Sequence, residues 1–296
     1  MYTHLVISGG GVKGIAIIGA LKVLFENNLL NNVEAYIGSS IGGLICFLLN
    51  IGYTYNELEE IMFNINFSEY RNINISTIFQ NWGLDNGEFL IKLFIAIIKQ
   101  KNISSDITFK NLFEKTNKLL VLTGSELIRN EEKYYSHLET PEMKVLDAIR
   151  ITISYPIIFN PLKNNVIKNG IEETEILIDG ALFSPYPMNY FKDIKNKIGI
   201  IIHSNHNSNG IVDGEDYLIN IIKCLTERYE KFHLKDYIDN TIIIDIKNIH
   251  SMNFELTQDD KKNMYQLGID SATNYLSKNK KVDLKNDLKN DLKKEK

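Results

Sequence analysis

The 296-residue sequence lacks the features that mark disulfide-rich, secreted and membrane-spanning proteins. Only two cysteines are present, Cys46 and Cys224, so a disulfide framework is not expected. The N-terminus has neither the basic nor the apolar segment of a signal peptide. The best candidate for a spanning helix, Phe89 to Ile98, is interrupted by Lys92 and is shorter than the ~18 residues that cross a bilayer. We therefore expect an intracellular protein, cytoplasmic or peripheral to a membrane.

An excess of positive charge is also missing. The chain has 33 Lys and Arg against 37 Asp and Glu, which gives a net charge of -4. The lysines are scattered among the acids, so no basic face indicates a nucleic-acid partner. A hydrophobic content of 44% is enough for a sizeable core, either in one large domain or in two small ones.

The most informative stretch is a G-x-S-x-G pentapeptide, Gly38 to Gly42, centred on Ser40. It lies between an apolar run at 33–37 and an apolar helix predicted at 41–49, which is the setting that a nucleophile elbow requires. Glycines lack a Cβ, so the chain can turn sharply there, and the helix N-terminus favours negative charge at the hydroxyl. The pattern predicts a serine nucleophile, although a chance match of common residues would look the same.

A glycine-rich loop follows the first predicted strand, Leu5 to Ile7. The residues of this loop are Gly9, Gly10, Gly11, Val12, Lys13 and Gly14. Its backbone N–H groups, placed before a helix, form an anion site. One interpretation is a dinucleotide fingerprint with Glu34 as its acid, but that acid belongs at the end of the second strand and Glu34 is near its beginning. The other is an oxyanion hole beside Ser40, which explains both motifs at once.

Two charged residues are candidates to complete the site. Asp179 follows a short apolar run, and Gly180 allows the chain to turn directly after it, so the carboxylate could be the base for the serine. Asp-Gly is also an ordinary turn dipeptide, and it recurs at Asp213-Gly214. Lys13 is either a solvated loop residue or a positive charge for an anionic head group.

The order of the predicted elements indicates an α/β fold. Buried strands are expected at 118–123, 176–178, 197–203 and 241–246, with helices between them, among them one capped by Thr140, one across 211–232 and a final one capped by Thr257. Such alternation predicts a mostly parallel central sheet with helices on both faces and a site at the carboxyl ends of the strands.

The same pass along the chain predicts how the domain is divided. We expect residues 1–192 to form the catalytic core, 193–277 to add strands and helices to the same domain, and the charged segment 278–296 to be disordered. The apolar segment 89–98 is typical of a core helix. A further hypothesis is that part of 67–107 forms a cap over the site and supplies a slot for an acyl chain.

The three motifs together resemble those of patatin-like phospholipases. That family has a G-G-G-x-[KR]-G loop near the N-terminus, then a G-x-S-x-G elbow and later a D-G-[AG] sequence, which is Asp179-Gly180-Ala181 here. Their order and spacing match across residues 1–192, and Ala148 to Leu162 resembles the family's stretch before the aspartate. The family commonly has asparagines just before the proline that corresponds to Pro187, where this chain has Ser184 and Pro185.

The resemblance implies a three-layer α/β fold and a Ser-Asp dyad. By the resemblance Ser40 is the nucleophile, Asp179 rather than Asp213 is the general base, and the amides of Gly10, Gly11 and Val12 form the oxyanion hole. It implies hydrolysis of acyl esters of phospholipids or neutral lipids through an acyl-enzyme, with no metal and no cofactor. The implied partner is a lipid substrate with peripheral membrane contact, and no motif identifies a protein activator.

Two alternatives to the dyad stay open. His203 and His206 follow Asp179 in the chain order of a Ser-Asp-His α/β-hydrolase, although the elbow of that fold normally comes after several strands. The same two histidines are a weak metal signal. A nucleotide- or lipid-binding module with no catalysis is the other alternative, and covalent labelling of the serine distinguishes it from an enzyme.

Overall fold

The computed structural model describes most of the chain. The described residues are 1–66, 69, 78–168, 170–203, 214, 217, 220–222, 224, 226, 234–247, 249 and 254–294, with residues 279–294 described as backbone alone. The strands are β1 (His4–Ile7), β2 (Ala35–Gly38), β3 (Gly83–Asp85), β4 (Leu119–Glu126), β5 (Glu131–Tyr135), β6 (Ile157–Phe159), β7 (Leu162–Lys168), β8 (Ile171–Asp179), β9 (Lys197–His203) and β10 (Thr241–Asp245). The α-helices are α1 (Gly14–Glu26), α2 (Ile41–Asn50), α3 (Tyr55–Asn64), α4 (Ile78–Asn81), α5 (Glu88–Lys99), α6 (Phe109–Thr116), α7 (Val145–Thr152) and α8 (Gln258–Lys294). Short 3-10 helices are Gly11–Lys13, Gly180–Leu182, Met188–Phe191 and Lys235–Asn240.

The central sheet has the strand order β10-β9-β1-β2-β4-β8-β7, with β5 also paired to β4. The five strands from β10 to β4 are parallel, while β8 is antiparallel to β4 and β7 is antiparallel to β8. The expected mostly parallel sheet is confirmed. A separate pair, β3 and β6, lies outside this sheet.

Both faces of the sheet are covered because the central strands carry buried apolar side chains at successive positions. On β1, Leu5 and Ile7 join the large core that includes α1 and α2. Val6 points to the opposite face and packs with Ile201 and with Phe191 of a short 3-10 helix. Side chains that alternate along a strand thus reach two separate cores, and the result is a three-layer arrangement.

Several element boundaries depart from the predicted ones. The helix predicted to begin at Thr140 begins at Val145, because the Thr140 N–H and hydroxyl both donate to the Ser136 carbonyl and close a turn instead. The cap at Thr257 is confirmed, since its hydroxyl accepts the Asp260 N–H at 3.1 Å. Strand β8 is longer than predicted and forms a hairpin with β7.

Some predictions fall where the structure gives no test. Most of the helix predicted at 211–232 lies outside the described residues. The tail at 278–296 stays a prediction, because α8 is described to Lys294 but no side chain after Lys278 is described. Within the described residues, no helix combines the length and apolar character needed to cross a membrane.

Candidate active site

The elbow and Asp179 meet at one rim of the central sheet. Ser40 lies between the end of β2 and the start of α2, and Asp179 is the last residue of β8. Strand β8 is antiparallel to its neighbour β4. The register of this pair places Asp179 opposite Gly124, which brings the end of β8 to the same rim as Ser40. The Ser40 hydroxyl donates a hydrogen bond to Asp179 Oδ2 at 2.7 Å. The two predicted residues are therefore in direct contact.

Ser40 has the strained backbone of a sharp turn. Its φ and ψ are 53° and -128°, a region that non-glycine residues rarely occupy. The turn requires close packing around it, since a Cβ on Gly42 would lie 2.3 Å from the Ser8 carbonyl oxygen. A Cβ on Gly38 would lie 2.4 Å from the Gly42 backbone. The glycines of the pentapeptide thus let helix α2 begin directly against the ends of β1 and β2.

Neighbouring hydroxyl groups hold the elbow in place. The Ser40 N–H donates to Thr152 Oγ1 at 3.0 Å, which ties the elbow to the end of α7. The Thr123 hydroxyl donates to Ser39 Oγ at 2.9 Å. Each of these hydroxyls is fully buried, so the hydrogen bonds are protected from water and fix the position of the serine.

Asp179 is fully buried and held at both its side chain and its backbone. Its Oδ1 accepts the Ala181 N–H at 2.8 Å, while its backbone N–H donates to the Ser154 carbonyl at 3.0 Å and its carbonyl accepts the Ser125 hydroxyl at 2.9 Å. Burial raises the pKa of this carboxyl to about 7, and the hydrogen bonds from Ala181 and Ser40 partly oppose that rise. A carboxyl group with a pKa near neutrality is suited to accept a proton at physiological pH.

The glycine loop lies beside the serine. A Cβ on Gly9 would be 3.5 Å from Ser40 Cβ, and the Gly9 N–H donates to the Pro185 carbonyl at 3.0 Å. In the described part of the chain, no acceptor is bonded to the N–H groups of Gly10, Gly11 and Val12. Unbonded amides next to a nucleophile are donors that an oxyanion could use.

The positions of Lys13 and Glu34 test two interpretations of the glycine loop that the sequence left open. Lys13 is fully buried, which rules out its interpretation as a solvated loop residue, and it is not one of the described residues that line the cleft. Glu34 directly precedes β2, at the opposite end of that strand from Ser40. The dinucleotide interpretation needs its acid at the end where the loop is, so the geometry contradicts it.

His203, the described histidine of the alternative triad, is not among the donors to the Asp179 carboxylate in the part of the chain that the structure describes. Among the described residues, the hydrogen-bond donors to the Asp179 carboxylate are Ser40 and Ala181. His203 is the last residue of β9, whereas His206 and Asp213 lie outside the described residues. The dyad therefore has direct geometric support, and the triad has none in the described residues.

An apolar cleft opens at the serine. The residues that line it are Gly11, Val12, Ser40, Ile41, Leu90, Phe94, Ile153, Tyr155, Phe159, Asp179 and Phe254. Leu90 and Phe94 come from α5, within the segment 67–107 that we expected to form a cap with an acyl slot. Phe94 is only 2% exposed, and its neighbour Ile95 faces outward with 36% of its surface exposed. Helix α5 is thus both a core helix and one wall of the cleft.

Sequence reasoning did not identify Arg150, which connects the cleft wall to Asp179. Its guanidinium donates to the Asn86 carbonyl at 3.0 Å and to the Asn160 carbonyl at 2.9 Å, and it is also bonded to the Ser154 hydroxyl. The Ser154 carbonyl in turn holds the Asp179 N–H. The available signal was the resemblance of the stretch 148–162, which contains both Arg150 and Ser154.

Comparison with known proteins identifies a family and a fold for this chain. The model of the patatin-like phospholipase family matches residues 5–192. Protein R571 of Acanthamoeba polyphaga mimivirus is 30% identical over an alignment of 296 positions, which covers 93% of this chain and 94% of that protein. Probable lipid hydrolase 463L of invertebrate iridescent virus 6 is 28% identical, with 92% of this chain and 88% of that protein covered. Among solved structures, VipD from Legionella pneumophila superimposes with a TM-score of 0.65 at 15% identity, covering 94% of this chain and 67% of VipD.

Proposed function

The chain belongs to the patatin-like phospholipase family, and from that premise we propose that it is a lipid hydrolase that cleaves acyl esters through a Ser40–Asp179 dyad. The observation that carries this proposal is the 2.7 Å hydrogen bond between the Ser40 hydroxyl and the buried Asp179 carboxylate. A serine hydroxyl needs an adjacent base to become nucleophilic, and here a carboxylate is in that position without a histidine between them. The strained backbone of Ser40 and the amides of the glycine loop support the same chemistry.

The geometry supports a two-step reaction. In the first step Ser40 Oγ attacks the ester carbonyl carbon while Asp179 takes the hydroxyl proton, and negative charge develops on the carbonyl oxygen. The N–H groups of Gly10, Gly11 and Val12 are the donors available to that oxyanion. The tetrahedral species then collapses, the alcohol leaves with the proton from Asp179, and the acyl group stays on Ser40.

The second step restores the enzyme. A water molecule attacks the acyl-serine carbonyl, and Asp179 accepts a proton from that water. Collapse of the second tetrahedral species returns the proton to Ser40 Oγ and releases the fatty acid. The same carboxyl group thus acts as base and then as acid in both steps.

The apolar cleft supports a lipid acyl chain as the substrate group. Aromatic and aliphatic side chains line it beside the serine, whereas Ser40 and Asp179 supply the polar groups that would meet the ester. The name of the iridescent virus relative, a probable lipid hydrolase, agrees with this substrate class. We propose a lipid or phospholipid ester as the substrate.

We also propose that residues 1–192 and 193–277 fold as one domain. Strand β9 comes from the second segment, yet it pairs in parallel with β1 of the first. The Ser8 hydroxyl accepts the Ile202 N–H at 3.0 Å, so the second segment also contacts the residue that directly precedes the glycine loop. Both observations support a single folded unit.

A fluorophosphonate probe tests the nucleophile. Wild-type protein should be labelled on Ser40, Ser40→Ala should not be labelled, and the double variant His203→Ala with His206→Ala should be labelled and active. Labelling that persists in folded Ser40→Ala would refute the nucleophile. An active wild-type enzyme that never reacts with the probe would refute serine catalysis, and loss of turnover in the folded histidine variant would favour the triad.

A further inference from the structure

We propose that the protein docks on lipid surfaces with anionic head groups through an exposed patch beside the cleft, which we call the rim surface. Its members are Trp82, Phe89, Lys92, Ile95, Lys99 and Lys163. This proposal rests on the proposed lipid-hydrolase function and adds the kind of surface from which the substrate is taken.

Helix α5 presents different residues to its two sides. Leu90 and Phe94 line the cleft on the inner side. The outer side carries Phe89, Lys92, Ile95 and Lys99, which follow one another at intervals of three or four residues and so form one stripe along the helix.

The composition of this stripe is unusual for a face that meets only water. Phe89 is 44% exposed and Ile95 is 36% exposed, although both are large and apolar. The Lys92 ammonium lies 5.2 Å from the centre of the Phe89 ring. Apolar side chains interleaved with lysines are typical of helices that lie in a membrane interface. The helix that forms a wall of the cleft therefore has an outer face suited to lipid.

A second part of the rim surface lies at the neighbouring strand pair. Trp82 directly precedes β3 and is 50% exposed, with the Lys163 ammonium 3.9 Å from the centre of its ring. Strand β3 pairs with β6, whose last residue, Phe159, lines the cleft. Tryptophan is favoured at the boundary between water and lipid, so Trp82 adds a second anchor close to the cleft wall.

The local charge identifies the partner as an anionic lipid surface. Three lysines of the rim surface are exposed, and Glu88 is an exposed acid on the same helix. The chain as a whole carries a net charge of -4, so this patch is positive on an acidic protein. A second copy of the chain would bring lysines against lysines, whereas anionic head groups would complement them.

The single tryptophan makes the proposal directly measurable. Mixing the wild-type protein with vesicles of equal parts phosphatidylcholine and phosphatidylglycerol should shift the Trp82 emission to shorter wavelength and make the protein sediment with the vesicles. Vesicles of phosphatidylcholine alone should bind more weakly. Replacing Lys92 and Lys99 by glutamine should weaken binding to the mixed vesicles by about fivefold per lysine, and Phe89→Ala by about tenfold.

Matched variants elsewhere on the surface serve as controls. Leu138 is 65% exposed and follows β5 on the side where β4 begins, away from the carboxyl ends of the sheet, and Lys110 is an exposed lysine of α6. Leu138→Ala and Lys110→Gln should bind the mixed vesicles as the wild-type protein does. Unchanged binding in the Phe89 and lysine variants, or binding without a shift of the Trp82 emission, would overturn the proposal.

Hydrolysis of a soluble short-chain ester separates this proposal from the proposed function. No rim-surface residue is among the described residues that line the cleft, so the rim variants should keep wild-type turnover of that ester. A wild-type protein that binds vesicles but hydrolyses no ester would refute the hydrolase and keep the docking surface. A dimer that dissociates on Phe89→Ala would instead identify a contact between copies and overturn the lipid assignment.

Discussion

The elbow region and the cleft wall are built in different ways. The elbow is held by close backbone contacts of the pentapeptide glycines with the ends of β1 and β2, and by buried hydrogen bonds to the hydroxyls of Thr123 and Thr152. The wall is assembled from side chains of α5, β6 and a residue near α8, which are far apart in sequence. The first region fixes the reacting atoms, and the second determines which substrate reaches them. Substitutions should therefore affect catalysis and folding in the elbow, and selectivity in the wall.

The strongest test of this difference is Asp179→Asn, which removes the base but keeps the shape of the side chain. We expect kcat to fall by about 100- to 10,000-fold, the usual contribution of a general base. The folded protein should at the same time become more stable above pH 7, because the variant no longer buries a charge. Ester hydrolysis and thermal melting of the two proteins measure both effects.

The pH dependence of that stability gain provides its control. Folding raises the pKa of Asp179 from 3.8 to about 7, so between these pH values the carboxyl is ionised in the unfolded chain and still protonated in the folded one. The free energy of unfolding of the wild-type protein should therefore fall over this range, by about 1.4 kcal/mol per pH unit. The gain from Asp179→Asn should disappear below pH 3.8. A variant that is less stable than the wild type at pH 8 would contradict the assignment of a buried charge.

A second test compares two glycines near the serine. Gly42→Ala would place a Cβ 2.3 Å from the Ser8 carbonyl oxygen, which is backbone, and we expect it to destabilise the fold by about 3 kcal/mol. Gly10→Ala would meet the end of the flexible Ile202 side chain at 2.6 Å, so its effect should be about 1 kcal/mol or less. Urea denaturation measures both. Equal losses would mean that the elbow is no more tightly packed than its surroundings.

A third test concerns the protonation of the dyad. Asp179 acts as a base only when ionised, and its pKa is raised to about 7, so kcat/KM should fall about tenfold for each pH unit below that value and level off above it. The rate profile of an uncharged ester measures this. An inflection near neutrality that persists in the residual activity of Asp179→Asn would assign the titration to another group.

The smallest expected effect distinguishes two neighbours on α5. Leu90 lines the cleft and Ile91 does not, although both are half-buried and pack against the core. Leu90→Ala should lower kcat/KM for long-chain esters by about tenfold and change it little for short-chain esters. Ile91→Ala is the matched control and should leave the ratio between the two esters unchanged. Equal loss on both esters in Leu90→Ala would refute the acyl slot.

Local sequence patterns were sufficient to predict a mostly parallel central sheet and a sharp turn at Ser40. Strands β1 and β2 are short, mostly apolar runs, and glycines stand at the end of β2 and shortly after β1, so these signals are local. Asp179 could be proposed from its position after an apolar run, but only the resemblance distinguished it from Asp213. Its contact with Ser40 depends on the register of the antiparallel strand β8, which no local pattern shows.

The cleft wall and the elements beside it were harder to predict because their parts carry weak signals. Strand β7 has polar residues at Lys163, Asn164 and Asn165, so it does not show the apolar pattern of a buried strand. The predicted start of α7 was wrong because the Thr140 hydroxyl donates to the Ser136 carbonyl in a turn. Arg150 donates hydrogen bonds to the carbonyl groups of Asn86 and Asn160, which belong to other segments. These contacts between segments, and therefore the part of Arg150 in holding the site, cannot be predicted from the pattern around Arg150 itself.

The position of β9 between β1 and β10 has a practical consequence for anyone who prepares fragments of this protein. The family match ends at residue 192, before β9 begins. A recombinant piece trimmed to that limit would leave the outer edge of β1 without its ladder partner, directly below the loop that faces the serine. Such an open edge invites intermolecular pairing and precipitation, so expression should extend through the last paired strand.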